Sequence, residues 1–388
     1  MLKKSFVSAP SDAENGFFRQ NLPFQYSLPD NGINKTTGLI VYIGGYGSEY
    51  DDLYTSKLLG YFSDKYDCIS ASVKYFGSDL YGQAEVVPAS DFFVNLKKTT
   101  GVTVKASASA SPASLLSDTL EMLSTSGVNE LDLSCRAILK SDDYNSFGVI
   151  PALDHLVVVW HLLKMFKPNS SRLFVIGTSC GGHIASMMLK FAPNTFSMIV
   201  ENSGFTSAAD HLSGIYGVFR EKICGINIVG FAQHRWKKRP GPFFFSDSHR
   251  RIRSLLEKEH ISRSNTELYS FHWQGDNVAS INRKVKLVKL YAGKVSYHQK
   301  VITNDMLDGM EFKTPEHGMR ASMRKIFSRS YLHYTKYSKD PKKLTDFELN
   351  SKISLDCGDL IYRILFSVET GVELKVIGQK SDIPPATD

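Results

Sequence analysis

The chain has 388 residues, 42% of them hydrophobic and 22% charged, a composition that supports a sizeable core and excludes a globally disordered protein. The formal charge of +7 is mild and decides nothing alone; no nucleic-acid partner is expected from it. Five cysteines (Cys68, Cys135, Cys180, Cys224 and Cys357) are scattered without a CxxC pair. This argues against a disulfide framework or a zinc ribbon and for a reducing compartment.

In chain order, Met1-Leu2-Lys3-Lys4 turns polar by Ser5 and Ser8. No apolar run of the secretory type follows, so a cytoplasmic protein is expected. The apolar run Gly38 to Ile43 ends in Gly44-Gly45-Tyr46-Gly47 and reads as a strand buried on both faces. A helix-like stretch from Tyr50 to Lys65 and a strand from Asp67 to Val73 complete a β-α-β unit. Residues from about 82 to 145 are less regular and hold a Ser/Ala-rich loop from Lys105 to Pro112, which reads as an insertion. Val149 to Lys167 reads as a helix, with Ile150, Leu153, Val157, Val158, Leu162 and Met165 on one face. Its most apolar part, Leu153 to Phe166, is interrupted by Asp154, His155, His161 and Lys164, so no membrane span is expected.

The densest signal follows. Arg172 to Ile176 is a strand, Gly177-Thr178-Ser179-Cys180-Gly181-Gly182 a tight turn, and His183 to Phe191 a helix. Gly177-Thr178-Ser179-Cys180-Gly181 is the one Gly-x-Ser-x-Gly in the chain. A nucleophile on a sharp strand-to-helix turn needs small flanking residues and gains from the helix N-terminus behind it. Ser179 is therefore the expected nucleophile. Cys180 is an alternative, but its frame would put β-branched Thr178 at a flanking position; its backbone N–H is instead expected in an oxyanion hole, with Gly45 or Tyr46 of the Gly-rich turn. Strands follow at Phe196 to Val200, Leu268 to His272 and Gln299 to Ile302, with helices at Ile281 to Tyr291 and Arg320 to Phe327. His317, in a loop after the last of these strands, is the expected base. Asp276, just past the strand ending at His272, is the expected acid, with Glu201 as the alternative. Arg235 and Trp236 are candidates for substrate binding, and His183, on the helix after the elbow, reads as a pocket residue of the same kind or as a packing residue. Residues 205–270 carry eleven Lys and Arg against six acids, including His234-Arg235-Trp236-Lys237-Lys238-Arg239. This reads as a basic cap that draws an acidic substrate or as a solvated surface. The tail from Asp359 to Ile377 reads as a β-hairpin.

The elbow, the Gly-rich turn and the late His317-Gly318 together resemble α/β-hydrolase serine hydrolases over about residues 38–330. More narrowly, Gly38 to Gly47, Ser72-Val73-Lys74-Tyr75, Asp143 to Gly148, the elbow, Ala192-Pro193 and Glu201-Asn202-Ser203 resemble an uncharacterised family of bacterial α/β-hydrolases met near flagellin-glycosylation genes. That family often has His after the nucleophile, where Cys180 stands here. The resemblance implies hydrolase chemistry without fixing the substrate.

The expected fold is α/β: an α/β-hydrolase fold with a mainly parallel sheet, a cap insertion and a C-terminal β-hairpin. Residues 1–35 form N-terminal strands as a lead-in, 36–204 and 266–340 the core with its insertion at about 82–145, 205–265 the cap, and 341–388 an extension. The expected activity is cleavage of an acyl ester, on a small-molecule, glycan-linked or acidic substrate, with no cofactor and no metal. An acyltransferase on the same triad, or a non-catalytic binding module, are the alternatives.

Overall fold

The computed structural model describes residues 2–78, 85–104, 111–128, 130–138, 144–207, 216–224, 226–233, 236–237, 239–241, 243–337 and 344–378. The strands are β1 (Leu2–Ser8), β2 (Asn21–Ser27), β3 (Gly38–Ile43), β4 (Cys68–Val73), β5 (Glu85–Pro88), β6 (Glu130–Ile138), β7 (Leu173–Thr178), β8 (Met198–Asn202), β9 (Tyr216–Ile223), β10 (Ile226–Gln233), β11 (Glu267–Trp273), β12 (Ser296–Ile302), β13 (Lys352–Asp356), β14 (Leu360–Ser367) and β15 (Gly371–Gly378). The helices are α1 (Leu53–Tyr66), α2 (Phe92–Thr100), α3 (Pro112–Thr125), α4 (Val149–Phe166), α5 (Cys180–Phe191), α6 (Asp247–Ile252), α7 (Ile281–Tyr291) and α8 (Met323–Tyr337).

The main unit comprises residues 1–78, 146–210 and 245–388. Its eight-stranded sheet has the order β1-β2-β4-β3-β7-β8-β11-β12. β3, β4, β7, β8, β11 and β12 are parallel, and β1 and β2 join antiparallel at one edge. This is the α/β-hydrolase fold. All six residues of β3 are buried, and they alternate between two cores, as the period of a strand requires. Leu39, Val41 and Ile43 pack with residues of α4, α5 and α7. Ile40 and Tyr42 pack with Leu58, Leu59 and Phe62 of α1 and Ile326 and Phe327 of α8.

Helix α4 is long and apolar enough to cross a bilayer by length and composition, contrary to the reading of its sequence, yet 67% of it is buried inside the protein. Helix α5 packs beside it, and residues of β14 and β15 (Tyr362, Ile364, Phe366, Val372 and Leu374) belong to the same core. The C-terminal extension is a three-stranded antiparallel sheet, β13-β14-β15, with one strand more than the expected hairpin. Gly371 (φ +84°) lies so close to Trp160 that a Cβ there would sit 2.9 Å from the indole.

The second unit is formed by residues 79–145 and 211–244, inserted after β4 and after β8. Its sheet has the order β5-β6-β10-β9, with β10 parallel to β6. Phe92, Leu96, Leu116, Leu120 and Leu123 form its core with Cys135 and Ile226. The sequence reading separated an insertion at 82–145 from a cap at 205–265. The pairing of β6 with β10 joins the two segments instead, and residues 245–265 belong to the main unit. A pairing between segments some 90 residues apart leaves no trace in local periodicity. The Ser/Ala-rich run at 105–110 lies outside the described residues.

One buried ion pair ties three distant parts of the main unit together. Glu14 takes two hydrogen bonds from Arg253 (2.8 and 2.5 Å) and a third from the Tyr362 hydroxyl of β14 (2.7 Å). Both charged side chains are buried. Burial alone would raise the Glu14 carboxyl; the Arg253 charge and hydrogen bonds outweigh it and hold it below the ordinary 4.5. Because the folded-state value is depressed, the stabilisation is present above pH 4.5 and is lost as pH falls through the lower, folded-state value. Glu14→Gln, which removes the counter-charge from buried Arg253, is expected to lower the unfolding free energy at pH 7 by about 3–5 kcal/mol. Chemical denaturation from pH 7 down to pH 3 should show this difference shrinking. A difference independent of pH would contradict the ionic account.

Candidate active site

Ser179 stands between the end of β7 and the first residue of α5, with φ 54° and ψ −119°, a backbone conformation that side chains rarely adopt. Two close approaches enforce it. A Cβ on Gly181 would lie 2.2 Å from the Ile43 carbonyl oxygen and 2.5 Å from that of Gly44, and one on Gly177 would lie 2.2 Å from the Gly181 oxygen. Only glycine allows the turn to press this tightly against the end of β3. The Ser179 N–H donates to the Asn202 carbonyl at the end of β8 (2.7 Å). Gly45 lies beside Ser179, where an added Cβ would meet Ser179 Cβ at 3.4 Å. The Cys180 N–H opens α5, where no intrahelical acceptor exists for it.

His317 follows β12, and its Nε2 lies 2.8 Å from Ser179 Oγ. Its Nδ1 lies 2.8 Å and 3.1 Å from the two carboxylate oxygens of Asp276. Asp276 sits in the loop after β11, where Oδ1 accepts the N–H groups of Val278 (2.9 Å) and Ala279 (2.8 Å). Burial pushes its carboxyl pKa up, but the bonds from His317 and Ala279 together with the nearby imidazoles hold it below the ordinary 3.8. It is therefore an anion at neutral pH, as an imidazole-orienting group must be. The structure thus brings Ser179, His317 and Asp276 into one hydrogen-bonded run.

The residues that hold the histidine loop were not singled out from sequence. Asn202 Nδ2 donates to the Gly318 carbonyl (2.9 Å), and the Gly318 N–H donates to Ser203 Oγ (3.1 Å). The Phe205 ring stacks on His317, with centroids 5.6 Å apart and planes 20° apart. The available signal was the polar Glu201-Asn202-Ser203 run closing an otherwise apolar buried strand.

Other expected site residues stand elsewhere. Glu201 is buried and bonded to Lys284 Nζ (2.6 Å) and to the Gly204 N–H (2.7 Å), so it serves an ion pair and not His317. Cys180 is buried, and burial pushes its thiol up to about 12 against a smaller opposing effect of the Tyr46 and Tyr75 hydroxyls; a nucleophilic thiolate is disfavoured there. His183 is buried, its Nδ1 2.9 Å from the Phe205 carbonyl oxygen. Its ring packs against Gly148. It supports the residue that stacks on His317, which is the packing use and not the substrate-binding one. Trp236 is likewise a core residue of the second unit. Its Nε1 donates to the Asn145 carbonyl (2.8 Å), and its ring meets Tyr144 edge-on at 5.1 Å. Burial of an indole with its N–H satisfied is ordinary core behaviour. Arg235 and Lys238 lie outside the described residues. Farther along the basic segment, Arg250, Arg251 and Arg253 are paired with Asp247, Glu257 and Glu14; of these three acids only Glu14 comes from outside the segment. Among the described residues, no group of three or more His, Cys, Asp and Glu side chains converges to hold a metal ion.

The cysteine environments can be checked directly. Iodoacetamide at pH 8 should alkylate exposed Cys224 in the native protein and leave buried Cys180 unmodified. Peptide mass mapping that found both modified at equal rates would contradict this placement.

A family model described as "Protein of unknown function (DUF2920)" matches residues 7–376. No curated protein matches the sequence. Among solved structures, the chain is similar to an acylaminoacyl peptidase from Pyrococcus horikoshii, with 12% identity and a TM-score of 0.45 over 88% of this chain and 42% of that one. It is similar to a puromycin-hydrolyzing peptidase from Mycobacterium tuberculosis, with 13% identity and a TM-score of 0.46 over 88% of this chain and 40% of that one. It is also similar to an S-formylglutathione hydrolase from Agrobacterium tumefaciens, with 12% identity and a TM-score of 0.44 over 88% and 95% of the two chains. The chain spans about two fifths of the length of the two peptidases.

Proposed function

The chain belongs to the DUF2920 family, and we propose that this member is a serine hydrolase that cleaves an acyl ester. One observation carries the reading. The strained elbow presents Ser179 Oγ to His317 Nε2 at 2.8 Å while Asp276 holds the opposite ring nitrogen at 2.8 Å. Ser179 Oγ attacks the acyl carbon as His317 Nε2 takes its proton, and Asp276 stabilises the imidazolium that forms. The Cys180 N–H and the Gly-rich loop at Gly45 and Tyr46 are the donors for the carbonyl oxygen as it becomes negative. Collapse of the tetrahedral intermediate breaks the ester bond, and His317 returns the proton to the departing alkoxide. Water then repeats the sequence on the acyl-enzyme and regenerates Ser179.

A fluorophosphonate probe is expected to label wild type on Ser179 and to leave Ser179→Ala unlabelled. Label on another residue, or none on folded wild type, would overturn the reading. The two acids should separate cleanly. Asp276→Asn is expected to slow labelling by about 10⁴-fold, because it reverses the tautomer that His317 needs. Glu201→Gln should keep labelling per folded molecule within about threefold while lowering stability by about 3–5 kcal/mol, since it strips the counter-charge from buried Lys284. The opposite pattern would make Glu201 the acid.

A further inference from the structure

His272, the penultimate residue of β11, has no part in the acyl-transfer steps. Its side chain is fully buried beside the acid: Nε2 lies 2.7 Å from the Ala279 carbonyl oxygen and 3.5 Å from Asp276 Oδ2. Ala279 is also the residue whose N–H donates to Asp276 Oδ1 (2.8 Å). The loop that carries the acid is therefore gripped at one residue from both sides, by the carboxylate through the N–H and by His272 through the carbonyl. Nδ1 of His272 finds no hydrogen-bond partner among the described residues. The ring's one N–H thus belongs on Nε2, where the acceptors are.

Burial keeps this ring neutral despite the two carboxylates near it. Burial first, then the Lys284 ammonium, lower its pKa from the ordinary 6.5 against the opposing attraction of Glu201 and Asp276. A neutral donor fixes the loop without placing a second cation against Asp276, which would compete with His317 for the carboxylate. An aliphatic side chain would fill the space and avoid the buried, unpartnered Nδ1, but it could not hold the Ala279 carbonyl.

We propose that His272 is a positioning residue of the triad: its Nε2–H anchors the Ala279 carbonyl, and through it the Val278 and Ala279 N–H groups that aim the Asp276 carboxylate at His317. The inference rests on the hydrolase reading of Ser179. It differs from a packing role in requiring one donor at one position.

Two amides that differ by a methylene test this. His272→Gln places its amide nitrogen where Nε2 stood, whereas His272→Asn places it one bond short, where Nδ1 stood. Inactivation by the fluorophosphonate probe gives the maximal rate constant and the half-saturating probe concentration separately for each variant. With Asn the maximal rate constant is expected to fall about thirtyfold, with half-saturation within about twofold; with Gln it should stay within about threefold of wild type. If Asn does not fold, His272→Phe, which keeps a ring and removes the donor, takes its place with the same expectation. Equal losses in Gln and in Asn (or in Phe where it stands in for Asn), or no loss in either, would overturn the positioning role. Wild type that takes no label on Ser179 would overturn the hydrolase reading itself, a separate outcome from the same experiment.

Discussion

The backbone at Ser179 is held where a non-glycine residue rarely sits, and the architecture of the site follows from that constraint. A positive φ at this position costs about 1–3 kcal/mol and persists only where the surroundings over-determine it. Here they do so from two directions. Gly181 is pressed against the carbonyls of Ile43 and Gly44, which locks the elbow to the end of β3 and to the Gly-rich loop that begins there. The Ser179 N–H bonds to Asn202, which locks it to the end of β8. Asn202 and Ser203 in turn hold Gly318 beside His317. Ser179, the Gly-rich loop and His317 are thus referred to the ends of β3, β7 and β8, and little freedom remains in their mutual distances.

Buried charge does the complementary work of attaching peripheral segments to that frame. Arg19 makes two hydrogen bonds to Asp154 of α4 (2.6 and 3.0 Å), and the Phe76 N–H donates to the same carboxylate. Glu14 joins Arg253 and Tyr362, while Glu201 and Lys284 fasten α7 under the elbow. Such pairs add little net stability compared with apolar packing, but each is intolerant of losing one member. They make the N-terminal strands, the segment around α6 and the C-terminal sheet integral to the main unit. Arg253 illustrates the point. In sequence it is part of a basic run; in the structure it is a buried tie between chain segments 239 residues apart.

What was legible in the sequence was whatever rests on local pattern. The apolar run of β3 fell on its observed residues, and α7 on Ile281 to Tyr291. The elbow declared itself because its glycines and its serine are contiguous. Ser179 and Asp276 each follow directly on a recognisable strand, His317 lies in the loop after the last one, and the geometry brings those three together. The illegible parts depend on long-range pairing. The N-terminal strands are expected only without bounds, because β1, with Lys3, Lys4 and Ser5, is an exposed edge strand with no buried face to mark it. The union of residues 79–145 with 211–244 depends on β6 meeting β10. Trp236 and His183 looked like site residues because aromatic and imidazole groups beside a motif invite that reading, and only burial with satisfied hydrogen bonds reveals their structural use. His272 was invisible for a related reason, since its partner is a backbone carbonyl that no sequence pattern marks.

The central claim is that this strained turn and its neighbours form a reactive centre poised around a developing negative charge. A crystal structure of the protein after reaction with a fluorophosphonate tests it most directly. The account predicts phosphorus bonded to Ser179 Oγ, with the phosphoryl oxygen within about 3 Å of the Cys180 N–H and of an N–H from the loop at Gly45 and Tyr46. Phosphorus on any other atom, or a phosphoryl oxygen turned away from both donors, would contradict it.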